Sequence, residues 1–141
     1  MSSIDASLLA IQLAQLGRDL QEEVLFLGRL EEESADAEAR FRKLKEDCED
    51  DSARAFLAAE GGVEVRKCIA RLEVAQARVA HQEAEHAWKK LQGRVRTQQA
   101  SLQALHRRIE VGRSLLSREK SLISLENSGI SALWTARPVP C

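Results

Sequence analysis

Large rings are scarce in this 141-residue chain: aromatics make up 4%, with three Phe, two Trp and no Tyr. Together with only two Pro and seven Gly, that scarcity excludes the usual β-sandwich, barrel or mixed sheet domain. No apolar run approaches the roughly 18 residues that a membrane span needs, so no membrane partner is expected. The opening MSSIDASLLAIQLAQLGRDL has no basic stretch ahead of a long apolar one, and no secretory leader is expected from it. Three cysteines, Cys48, Cys68 and Cys141, are an odd number without CxxC spacing. They speak for a reducing, cytoplasmic setting and against a disulfide framework.

What is present is Ala, Leu, Glu, Arg, Gln and Lys, with 44% apolar and 30% charged residues. That is the balance of long helices, and the length suits one domain. Steps of three and four residues from Leu13 visit Leu16, Leu20, Glu23, Leu27, Leu30, Ser34, Ala37, Phe41, Leu44 and Cys48. This heptad register predicts a first helix over about 3–49. A turn region is expected over 50–62, from the polar Asp50–Ser52 to the Gly61-Gly62 pair. A second helix is expected over about 63–125, stopped by Asn127–Gly129. Its first part shows Val65, Cys68, Leu72, Ala75 and Val79 in one register. Its second part shows Trp88, Leu91, Val95, Gln98, Leu102, Leu105, Ile109, Gly112, Leu116, Glu119 and Ile123 in another. The phase is expected to slip across Ala80–Ala87.

The expected fold is therefore all-α: two long antiparallel helices forming a coiled-coil hairpin over 1–126, oligomeric, with a short tail at 127–141. That tail, with Trp134 and both prolines, is flexible or docks on a partner. The hairpin and oligomer interface should be built by Leu13, Leu16, Leu20, Leu27, Leu30, Phe41 and Leu44 of the first helix. From the second come Leu91, Val95, Leu102, Leu105, Ile109 and Leu116.

The net charge of −1 hides an asymmetry. Residues 1–64 hold 16 acids and 7 bases, whereas residues 65–141 hold 14 bases and 6 acids. A turn centred near residue 56 sets Glu22 and Glu23 against Lys89 and Lys90, Asp19 near Arg94, and Asp5 near Arg108. Glu46, Asp47, Glu49, Asp50 and Asp51 then form an acidic tip. Cys48 and Cys68 come close as buried thiols.

Catalytic chemistry finds little support. His81 and His86 stand five residues apart, about 140° around a helix, so they diverge. Glu85 could join His81, but no third ligand is near, and neither a metal nor a cofactor is expected. No nucleophile triad and no phosphate-cradling loop is visible, so the chain reads as no enzyme, without a small-molecule substrate. The basic stretch carries more: Arg107, Arg108, Arg113, Arg118 and Lys120, with Arg94 and Arg96, are candidate contacts to single-stranded nucleic acid. The plainer alternative is that these cations solvate the helix and pair with the acidic first one.

The stretch SLQALHRRIEVGRSLLSREKSL (Ser101–Leu122), with Leu102, Ala104, Leu105, Arg108 and Ile109, resembles the terminal oligomerisation helix of UvsY-like bacteriophage recombination mediators. The size and the helical layout of about residues 1–125 are similar as well. The family's basic motif late in the early helix has its nearest equivalent in Arg40, Arg42, Lys43, Leu44 and Lys45, followed at once by acids. The resemblance implies a ring-forming homo-oligomer that binds single-stranded DNA and a recombinase, in the cytoplasm of a bacterial host if a phage encodes it. The competing expectation is a coiled-coil structural or adaptor protein acting only through protein partners. One such case would be a phage protein that blocks a host defence complex through its acidic tip.

Overall fold

The computed structural model describes the backbone of residues 3–135 and the side chains of residues 5–125. Three helices make up nearly all of it: α1 (Ser3–Ala58), α2 (Val63–Glu73) and α3 (Ala75–Thr135), with no strand among the described residues. Contacts divide the chain into two units, one of Met1–Val24 with Ala100–Cys141 and one of Leu25–Gln99.

Burial follows the three-four spacing of the apolar residues. Every position of the α1 series from Leu13 to Cys48 is buried or half-buried, and most positions between them are exposed. The helix is not interrupted at Glu49–Ser52, as the polar run suggests, but continues to Ala58. The physical reason is that Glu49, Asp50 and Asp51 stay in water, with Asp51 3.9 Å from Arg54 on the same helix. Ser52, Ala55 and Ala59 meanwhile extend the buried stripe. A charge run on the outer face does not end a helix when neither Gly nor Pro intervenes. The acidic residues therefore lie along α1, not at the turn.

The turn is confined to Ala59–Gly62. Gly61 adopts φ 113°, a left-handed conformation open chiefly to glycine. The Ala59 N–H donates to the Ala55 carbonyl at 3.0 Å. Arg66 reaches back from α2, donating from Nε to the Ala59 carbonyl at 2.8 Å with its guanidinium 5.4 Å from the Phe56 ring centre. It thus satisfies a carbonyl at the end of α1 and adds a cation–π contact.

Moving the turn moves the packing register. In the first unit Leu13 meets Gly112, where a turn at residue 56 would set it against Ala100. In the second unit Phe41 lies between His81 and Trp88, on the level of Ala84 and not of Leu72. Both displacements are 12 residues and run in the direction that a later turn requires. Lys89 bonds Glu85 on its own helix at 2.8 Å.

Two expectations for the second helix also change. The break falls at Val74 (φ −100°, ψ 12°), between α2 and α3, and not across Ala80–Ala87. Helical hydrogen bonds continue on both sides of it, from Val74 N–H to Ala70 and from Arg78 N–H to Val74. Beyond it the buried series Val74, Ala77, His81, Ala84 and Trp88 is unbroken, with small side chains where large apolar ones are missing. The stripe Val65, Cys68, Leu72, Ala75 and Val79 is exposed, and Ile69, Ala70 and Val74 turn inward instead. Arg66 is the cause: its bond to Ala59 and its seat on Phe56 fix the rotation of α2. Residues three, four and eight positions on from Arg66 therefore share the inner face. Cys68 is accordingly exposed while Cys48 is buried, so the two thiols are not buried together.

At the far end, α3 continues through Asn127–Gly129 to Thr135, and Ile123 is exposed although the spacing sets it on the seam. The expected tail docking through Trp134 and residues 136–141 lies outside the described side chains.

Glycine substitutions should separate the turn from the helices. Gly61→Ala must adopt a positive φ and should lower stability by about 1 kcal/mol or more. Gly93→Ala, exposed in α3 with open space around it, should raise stability by about 0.5–1 kcal/mol. Chemical denaturation of the two variants reads both signs.

Candidate functional site

In the first unit, α1 and α3 approach closely because Gly112 has no side chain: a Cβ there would lie 2.5 Å from Leu13 Cδ2. Beside this contact runs a groove of about 370 Å³, lined by Leu9, Gln12, Leu13 and Leu16 from α1 and by Arg107, Arg108, Val111, Gly112 and Leu115 from α3. Its lining is mainly apolar, and Val111 (59%) and Leu115 (44%) remain open to solvent. Two residues expected to touch DNA, Arg107 and Arg108, thus edge an apolar groove, where long arginine stems can lie along apolar surface.

The seven candidate cations are all exposed. They do not form one track. In the first unit the α3 seam is marked by Leu102, Leu105, Ile109, Gly112, Leu116 and Glu119, all buried or half-buried. By heptad position Arg108 flanks that seam on one side and Arg113 and Lys120 on the other. Arg107 lies further round α3 than Arg108, at the outer edge of the groove, and Arg118 lies between back and flank. In the second unit Arg94 and Arg96 are likewise exposed on different sides of α3. Glu119 is only 9% exposed, which leaves Glu110 as the exposed acid of the stretch from His86 to Ser121.

The thirteen residues expected at the helix interface are all withdrawn from solvent. Leu30, Leu102, Leu105 and Ile109 are buried, and Leu13, Leu16, Leu20, Leu27, Phe41, Leu44, Leu91, Val95 and Leu116 are half-buried. In the second unit Phe41 stacks on Trp88, with ring centres 5.6 Å apart and planes 18° from parallel. His81 lies 6.4 Å from Phe41, and its Nδ1 is buried without a hydrogen-bond partner. His86 is exposed, so the two imidazoles diverge as their spacing implies. Glu85 is held below its ordinary carboxylate value by the hydrogen bond and charge of Lys89, with His81 and Lys45 adding to the effect and desolvation opposing it. Among the described residues no group of three His, Cys, Asp or Glu is placed to hold a metal ion. No helix among them is long and apolar enough to cross a membrane.

The sequence alone does not display the groove, because its floor depends on which α1 residue faces Gly112. Its signal was the one glycine in the α3 apolar series.

Filling the glycine contact should be costly. Gly112→Leu forces Leu13 aside and should destabilise the protein by about 1–3 kcal/mol, the range for overpacked sites. Val111→Glu, on the open rim, should change stability by less than about 0.5 kcal/mol. Thermal unfolding followed by circular dichroism distinguishes them. No protein-family model, curated protein or solved structure matches the chain.

Proposed function

We propose that this chain is a non-enzymatic helical assembly protein, a coiled-coil hairpin that acts through protein partners and self-association. The observation that carries the reading is the apolar groove of the first unit. Leu9, Leu13, Leu16, Val111 and Leu115 offer a helix-sized apolar surface on a chain otherwise rich in charge. Arg107 and Arg108 at its edge favour an amphipathic partner helix that carries acids beside its apolar face. The scatter of the remaining cations around α3 supports this reading over a phosphate track, which needs its cations along one face.

A second reading keeps the resemblance to UvsY-like recombination mediators, with single-stranded DNA and a recombinase as partners. One observation favours it: burial of Glu119 leaves nine cations and a single exposed acid between His86 and Ser121. Several copies side by side could join scattered cations into a track, by multivalency.

Titration of the purified chain into a labelled single-stranded oligonucleotide, followed by anisotropy at several salt concentrations, separates the two. The assembly reading predicts no salt-sensitive binding. Replacing Arg107, Arg108 and Arg113 by Glu should then alter assembly in sedimentation velocity and leave the anisotropy flat. Binding that weakens steeply with salt, with about 0.7 counterions released per phosphate contact, would favour the mediator reading instead.

A further inference from the structure

The exposed face of α2 continues across the break into α3. Val65 (53% exposed), Cys68, Leu72 (78%), Ala75 and Val79 (52%) recur at three-four spacing on the side turned away from α1. Arg66, Ile69, Ala70 and Val74 take the inner face, so the outer stripe has no partner within its own unit. Apolar residues at this spacing are the pattern of a surface that receives another helix.

We propose that this face docks on the same face of a second copy, the two α2 segments running antiparallel about a two-fold axis near Ala70. The proposal rests on the assembly reading and names one of its contacts. Self-complementarity is the argument. In this register Val65 meets the second copy's Ala75, and Cys68 meets its Leu72, each layer setting a larger side chain against a smaller one. The symmetry repeats both layers. On the flank, Glu64 of each copy faces Arg78 of the other, which stands half-buried at the edge of the groove that Glu49 also lines. Glu64 is free to do so: its side chain is 88% exposed, with only Lys67 at 3.7 Å. The Arg71 pair is the like-charge meeting in this arrangement, beside Glu49, which lines the same groove. A shift of one heptad in one direction sets Arg71 against Arg78. In the other it sets Glu64 against Arg71 but leaves Leu72 opposite Gly61 and keeps only two of the four apolar layers. Layers and charge together therefore select the register.

Sedimentation equilibrium of the full chain over a range of concentrations tests this. A reversible dimer is expected. Leu72→Glu, at an exposed site, should weaken it at least tenfold with an unchanged unfolding curve. Glu64→Arg alone should weaken it several-fold, and Glu64→Arg with Arg78→Glu should restore it. Mild oxidation of Leu72→Cys should give a dimer linked to Cys68 of the other copy. A chain that stays monomeric overturns the proposal, as does a dimer indifferent to Leu72→Glu or a charge swap without rescue. A monomeric chain removes the self-association half of the assembly reading. The partner-binding half survives these failures if the chain still binds no single-stranded DNA, because that half rests on the groove of the first unit.

Discussion

The closure of α1 onto α2 governs the packing that follows. Gly61 supplies a backbone conformation closed to most residues, and Arg66 ties the incoming helix to Ala59 and Phe56. The turn position sets which residues of α1 and α3 meet, and a shift of one residue there displaces the meeting by two. The clamp of Arg66 also sets the rotation of α2, which decides the face that packs and the face left in water.

With that register, size complementarity becomes visible in each unit. Leu13 is set against Gly112, the one position in the α3 series without a side chain. Phe41 sits over the level of Ala84, with His81 and Trp88 one turn to either side. A wide ring needs a small residue opposite, and the alanine-rich stretch around Ala84 supplies it. The missing large residues between Ala80 and Ala87 are thus part of the packing and not a break in it. Small residues at these levels also leave apolar surface nearby open, as in the groove beside Gly112.

The all-helical class and the seam from Leu13 to Cys48 were legible because three-four spacing maps directly onto one helix face. Helix ends were less legible. Glu49, Asp50 and Asp51 look like punctuation in one dimension, yet on a helix they simply occupy the solvent side. The rotation of α2 was ambiguous for a different reason. Two stripes overlap there, Val65–Cys68–Leu72 and Arg66–Ile69–Ala70, and apolar bulk favours the first. An arginine that chooses the second does so through a carbonyl and a ring seven and ten residues away, which no local pattern encodes. The candidate site suffered likewise: cations are easily counted along a sequence, but their scatter around α3 and the groove between Arg108 and Leu13 depend on the register.

A register is best tested by a distance. In a background with Cys48, Cys68 and Cys141 replaced, Ala37→Cys with Ala84→Cys places two thiols on the same depression of the second unit. Ala37→Cys with Gln76→Cys samples the pairing of a turn centred at residue 56. A short thiol crosslinker should join the first pair within one chain and leave the second unjoined. Crosslinking of the second pair but not the first would contradict the register, and with it the face assignments that depend on the turn.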